Sequence, residues 1–320
     1  MHNWKITGIV ATLVIVLSMP LYLLKQRLMP GGVALPEKDA VAAFVGRDRC
    51  IECHREEHKR WQGSDHDKAM ATADETSVLG DFNGTTFIHK GVESRFFRKG
   101  DRFFVNTQGP GGERDDFEIK YTFGFRPLQQ YLVPFPGGRL QCLPIAWDVE
   151  KKEWYHLYPD EKLLPEDWLY WTNNAQNWNG MCAECHSTNL KKGYDPQTDT
   201  YQTTWSEINV SCEACHGPGS RHVAWADTPP MARSQSVANY DLVVNTAEMD
   251  SEEQVILCAR CHARRSQLGD FNHQYSDFLE SMVPQLLNAP LYYTDGQILD
   301  EVYVYGSFTQ SKMYSKDVRC

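Results

Sequence analysis

The chain has 320 residues, 32 of them basic and 42 acidic, for a formal net charge of −10. Its first thirty residues carry Lys5, Lys25 and Arg27 and no acid, so the rest is more acidic still. That balance excludes nucleic acid as a partner, because phosphate binding needs a basic surface. The apolar fraction of 42 % with 12 % aromatics is that of a globular chain, not a disordered one.

Residues 6–24 form a 19-residue run without a charge, ITGIVATLVIVLSMPLYLL. That length spans a bilayer as a helix, and Lys5 precedes it as in a signal-type leader. Residues 1–30 are expected to be a signal anchor or a removed signal peptide. Pro30-Gly31-Gly32 opens a linker, and residues 31–75 also hold the first Cys-rich motif, on a helix Cys50–Trp61 that Asp48 is expected to cap and Gly63-Ser64 to end. Residues 76–165 change character. TTFIHKGVESRFFRKGDRFFVNT and DFEIKYTF alternate apolar and polar residues. Lys99-Gly100-Asp101 and Gly109-Pro110-Gly111-Gly112 punctuate them. This is hairpin grammar and predicts a β-rich insert. Residues 166–320 hold three further motifs. Ser251-Glu252-Glu253-Gln254 reads as a capping box before Cys258–His262. Glu301–Tyr305 reads as a short strand.

Ten cysteines are the informative number, and eight form four C-x-x-C pairs. His follows every pair at once. The sets are Cys50/Cys53/His54, Cys182/Cys185/His186, Cys212/Cys215/His216 and Cys258/Cys261/His262. C-x-x-C-H is the attachment motif of c-type haem. The two thiols add to the haem vinyl groups, and the adjacent imidazole reaches the iron. Zinc ribbons do not need a His after every pair, thioredoxin-like motifs do not come in fours, and structural disulfides do not insist on this spacing. Four covalent haems c are therefore expected. Such motifs mature outside the cytoplasm, so residues 31–320 are expected to face the periplasm. The chain would be held at the inner membrane through residues 6–24, or be free in the periplasm if the leader is cleaved.

The sixth iron ligand decides what each haem does: a second His closes the site for electron transfer, and an open position permits chemistry on a substrate. No C-x-x-C-K motif is present. Apart from His2 and the four proximal residues, six histidines remain, His58, His66, His89, His156, His222 and His273. His58 sits one helical turn after His54 and points away from that haem. The distal candidates are His66, His222, His156, His89 and His273. Cys142, alone on an apolar strand, reads as a small buried hydrophobe. Cys320, the last residue, could open a fifth motif.

The stretches RWQGSDHD, YTFGFRPLQQYLV, GGRLQ, WYHLYPDE, QNWNGMCAECHSTNL, TTWSEINVSCEACHGPGSRHVAW and DGQILDEVYVYGSFTQSKMYSK occur in this order. Together they resemble multihaem cytochromes of the cytochrome c-554-like group, many of which continue into tetratricopeptide repeats. The resemblance covers about residues 45–320. It implies that His66 and His222 are haem ligands, lends weight to His156, and implies continuation beyond Cys320 into a fifth haem motif. Tyr170 and Tyr293 stand where the resemblance would place His. The expected fold is α+β, with short helices and loops around covalent haems and a β-rich insert. The expected function is electron transfer between redox partner proteins. The alternative is an oxidoreductase for a small nitrogen or sulfur compound at one five-coordinate haem.

Overall fold

The computed structural model describes Met19 and residues 41–234, 237–268 and 278–319. Apart from Met19, the 6–24 run lies outside the described residues, as do His273 and Cys320. Among the described residues no helix is long and apolar enough to cross a membrane. The chain is α+β and divides into two units, the described parts of Met1–Ala43 with Pro218–Leu242, and Phe44–Gly217 with Val243–Cys320.

In the larger unit, alternating sequence becomes two antiparallel sheets. Strands β2 (Thr85–His89), β3 (Val92–Lys99), β4 (Arg102–Gln108) and β5 (Arg114–Ile119) form a four-stranded meander. Lys90 and Gly91 both take positive φ, 46° and 88°, the tight turn that matches strand twist. The second sheet joins β1 (Met70–Thr72), β6 (Tyr121–Phe123), β7 (Leu128–Phe135), β9 (Ile145–Asp148) and β10 (Glu153–His156) in the order β1-β6-β7-β9-β10, with β8 (Arg139–Cys142) also on β7. The strands of both sheets lie between residues 70 and 156, and all but β1 fall within the span that the alternation marks as β-rich; outside it, Tyr194–Asp195 pairs with Thr200–Tyr201 and Arg265–Gln267 with Met282–Pro284 as two-stranded ladders.

The two faces of the second sheet are used differently, and the period of two decides how. Tyr131 and Val133 point into a large core shared with Phe96, Phe103, Val105 and Ile119 of the first sheet. Leu132, between them, joins a smaller core with Met70, Cys142, Trp178 and Ala183. Likewise Leu143 belongs to the large core and its neighbour Cys142 to the small one. The large core is aromatic. Phe96 and Trp154 stack with centroids 3.6 Å apart, and Phe82 meets Phe96, Phe103, Tyr131 and Trp154 edge-on. Gly80 is required beside it, because a Cβ there would lie 2.5 Å from the Tyr131 hydroxyl and 2.7 Å from the Trp154 ring.

The remainder of this unit is short helices, loops and the two small ladders. The expected helix over the first motif is broken in two, α1 (Arg47–Ile51) and α2 (Arg55–Trp61). Asp48 lies in the first turn of α1 and does not cap it. The N-cap is Gly46, at φ 79°, a conformation that disfavours Asp. Three further helices, α3 (Trp178–Met181), α4 (Ala183–His186) and α5 (Cys212–His216), carry the second and third motifs. In the smaller unit, α6 (Ser220–Asp227) packs on the turn Ala238–Asp241, tied by Arg221 to Asp241 at 2.6 Å. Helix α7 (Ser251–His262) carries the fourth motif. Its capping box starts one residue before the expected one. Asp250 accepts from the Glu253 N–H, Glu253 answers to the Asp250 N–H, and Ser251 lies inside the helix, donating to the Val318 carbonyl. The expected strand at Glu301–Tyr305 is absent. Tyr303 takes φ 60°, a left-handed backbone, and helix Tyr305–Phe308 follows.

Candidate haem-binding centre

The second, third and fourth C-x-x-C-H motifs lie on helices, and the first spans the break between α1 and α2. The first is the most open, with Cys53 and His54 exposed. Here the helix breaks at His54, whose φ and ψ of −106° and 49° leave the helical range. In the third motif the His216 Nδ1 lies 3.0 Å from the Val244 carbonyl. A carbonyl can only accept, so that nitrogen bears the proton and Nε2 keeps its lone pair. A metal-bound His is usually oriented in this way, by a carbonyl on its other nitrogen. His222, on α6 of the smaller unit, is held the same way, its Nδ1 2.8 Å from the Tyr240 carbonyl.

The second motif is the deepest. Burial pulls His186 down to about 4, so its ring is neutral. Its Nδ1 is buried without a hydrogen-bond partner among the described residues, and Phe123 meets the ring edge-on at 4.4 Å. Burial also pushes Cys182 up to about 12 and raises Cys215. A hydrogen bond from a neighbouring thiol acts the other way, lowering Cys185 and bringing Cys212 down to about 7. Among the described residues no three His, Cys, Asp or Glu side chains converge as a metal-binding group. The residues fit haem attachment and do not fit a zinc ribbon.

The fold then brings the motifs together out of chain order. The first meets the third: the Cys50 and Cys212 thiols are in hydrogen-bond contact. Glu213, between the third pair of cysteines, is buried and accepts the N–H groups of Val45 at 2.9 Å and Gly46 at 2.8 Å. Arg47 adds an ion pair to Glu207 at 3.1 Å. The second meets the fourth: the Cys185 and Cys261 thiols are in contact, and Arg265 reaches Glu184 at 3.1 Å and the Cys185 sulfur at 3.6 Å. Arg260, inside the fourth motif, donates to the Ala214 carbonyl of the third at 3.1 Å. Burial lowers its pKa to about 10, so it remains a cation near the Cys215, Cys258 and Cys261 sulfurs.

The distal candidates separate. His66 lies beside the fourth motif, its ring centroid 6.1 Å from that of His262 and tilted by 72°. His89 and His156 stack on each other at 3.9 Å on the large-core side of the second sheet, opposite the face that holds Cys182 and Ala183. His58 packs on Trp61 at 5.6 Å. Tyr170 is buried, with its hydroxyl on the Gly109 carbonyl at 3.0 Å, and Tyr293 is exposed. Cys142 is buried as expected, with the Gln130 amide 3.1 Å from its sulfur. Sequence reasoning gave no weight to Glu213, Arg260 and Arg265, which tie the motifs together. Two of them stand between the cysteines of a motif, and only that position could have flagged them.

Residues 49–83 and 155–217 match the family described as cytochrome c554 and c-prime. These stretches hold the first three motifs. No curated protein matches the chain. Among solved structures it is similar to the outer cell wall cytochrome OcwA, at 19 % identity and TM-score 0.44, over 81 % of this chain and 44 % of that one. It is also similar to an undecahaem cytochrome from the S-layer of Carboxydothermus ferrireducens, at 19 % identity and TM-score 0.42, over 81 % and 31 %. The chain spans less than half the length of either structure.

The stretches bearing the first three of the four attachment motifs are thus similar to the cytochrome c554 and c-prime family.

Proposed function

We propose that this chain holds four haems c and conducts electrons between redox partner proteins on the periplasmic side of a membrane, with residues 6–24 as its anchor. The observation that carries the reading is the gathering of the motifs into two contacting couples, Cys50 with Cys212 and Cys185 with Cys261, linked through Arg260. When bound, haem c supplies one-electron redox chemistry. The chain's part is to hold, orient and tune. His54, His186, His216 and His262 are the proximal ligands, and the eight thiols are the covalent tethers. Arg260 sets a buried positive charge between the third and fourth sites, which favours the reduced state there.

His66 is proposed as the residue that would hold the haem iron together with His262, and their ring centroids, 6.1 Å apart, support that pairing. His222, whose Nδ1 is oriented by the Tyr240 carbonyl, is proposed as a ligand to a second iron. The open first motif is proposed as the port to a partner.

The test is intact-mass measurement and electron paramagnetic resonance on protein from a maturation-competent host. Four added haems are expected. His66→Ala should convert one low-spin ferric signal into a high-spin one and leave the others in place. A haem count below four, or a His66→Ala spectrum identical to the parent's, overturns the corresponding part of the reading.

A further inference from the structure

The stacked His89–His156 pair belongs to a cavity of about 100 Å³ in the β-rich region. By this measure one water needs about 10–15 Å³, so the cavity holds a molecule of several heavy atoms and is far too small for a porphyrin. No haem-motif residue lines it.

Its electrostatics run against those of the whole chain. The net charge is −10, yet the cavity is lined by His89, Lys90, His156 and Lys162 and by no carboxylate. Neither lysine makes an ion pair among the described residues, whereas Lys59, Lys99 and Lys151 each have one. Both imidazoles are anchored by backbone: His156 Nδ1 lies 3.0 Å from the Tyr158 backbone nitrogen and 3.1 Å from its carbonyl oxygen, and His89 Nε2 donates to the Glu161 carbonyl at 3.0 Å. Leu143, Ile145 and Trp171 close the remaining wall with apolar surface, and this lowers the local dielectric and strengthens charge recognition.

We propose that this cavity is a binding site for a small oxygen-bearing anion, an inorganic oxyanion or a short carboxylate, separate from the haems. The Lys90 and Lys162 ammonium groups supply the charge, and the His156 imidazole supplies a hydrogen bond. The absence of a carboxylate and the presence of two unpaired lysines disfavour a metal cation at the same imidazoles. The inference is independent of the electron-transfer reading, since it uses no haem-motif residue.

The experiment is isothermal titration of the haem-loaded protein, in a buffer of low anion content, with sodium sulfate, sodium nitrate and sodium acetate in separate runs. The first two report an oxyanion and the third a carboxylate. Saturable binding of at least one below about 10 mM with an unchanged Soret band is expected. Hydrogen bonds to charged groups are worth enough that losing one weakens binding about tenfold or more, so Lys162→Gln and His156→Gln should each show such a loss. Lys162 is exposed, so its variant tests the site without disturbing the fold, and Lys151→Gln, at a lysine outside the cavity, should change nothing. No saturation by any of the three salts overturns the proposal. So does binding that shifts the Soret band or is indifferent to Lys162→Gln. Titration with zinc chloride is the remaining arm. Tighter binding of zinc than of every anion, abolished by His89→Gln, makes the cavity a cation site and overturns the anion reading.

Discussion

The β-rich region and the motif-bearing region are held together by different means. The first has a core of thirteen buried residues, eight of them aromatic, drawn from both sheets and the loops beside them. The second has two thin clusters, of five and four buried residues, and its helices are mostly one or two turns long. Helices that short do not sustain themselves in water. The motif region holds its backbone instead through side-chain ties such as Glu213 to Val45 and Gly46, and Arg265 to Glu184. A fold built wholly around its haems is what the motifs alone suggest. The aromatic core of the sheets predicts that this dependence is confined to the motif-bearing region.

The largest effect is therefore expected from removing the haems. Protein made in a host without haem attachment should lose hydrogen-exchange protection in α3, α4, α5 and α7 and keep it in β2 to β10. Limited proteolysis should leave a fragment of roughly residues 76–160. A haem-free chain with native helical circular dichroism and one cooperative melt would erase the distinction between the two regions.

Next comes the aromatic core itself. Trp154→Ala deletes the ring stacked on Phe96 and met edge-on by Phe82. Buried aromatic-to-Ala changes cost about 3–5 kcal/mol. Urea unfolding of the β-rich region, followed by far-ultraviolet circular dichroism, should shift by that amount while the haem absorbance in native buffer is unchanged. An equal loss in haem absorbance would show that the regions are coupled.

The pH response should also be regional. Burial, reinforced by the neighbouring His89, pulls His156 down to about 4 from an ordinary value near 6.5. As pH falls below 6.5 the unfolded chain takes up this proton first, so stability is complete above 6.5 and is lost progressively as pH drops toward 4. The ring is only half-buried, so solvent moderates the effect. Urea midpoints for the β-rich region should fall between pH 7 and pH 5, with a shallower slope in His156→Gln. A slope unchanged in that variant assigns the response to other groups.

These contrasts were unevenly legible in the sequence. The attachment sets announce themselves because their chemistry fixes residue type and spacing, and the hairpins because a half-buried strand must alternate. What escaped depends on tertiary placement. DFEIKYTF reads as one strand, yet the chain changes sheets at Lys120: Phe117 pairs with Val105 of the first sheet and Thr122 with Tyr131 of the second. Asp48 has the chemistry of a cap but sits behind a glycine in a conformation that takes over the role. His89 and His156 look like ligands by type, and only the sheet between them and the second motif separates them from it. The coupling of the first motif to the third and of the second to the fourth has no signature in spacing, since it rests on contacts between residues more than seventy positions apart.

The smallest effect is the sharpest probe of the motif region. Asp250 and Glu253 cap α7 reciprocally, and replacing such an N-cap by Ala costs about 1 kcal/mol. In a region maintained by its own packing, that loss would lower the global unfolding free energy. In one tethered by thioethers at Cys258 and Cys261, the C-terminal half of α7 stays fixed and only the first turn frays. Asp250→Ala should accordingly speed amide exchange at residues 251–255 by about fivefold, the equivalent of 1 kcal/mol, with exchange at 258–262 and the β-rich melt both unchanged. Faster exchange along the whole helix would mean that the cap, and not the covalent attachment, holds the fourth motif in place.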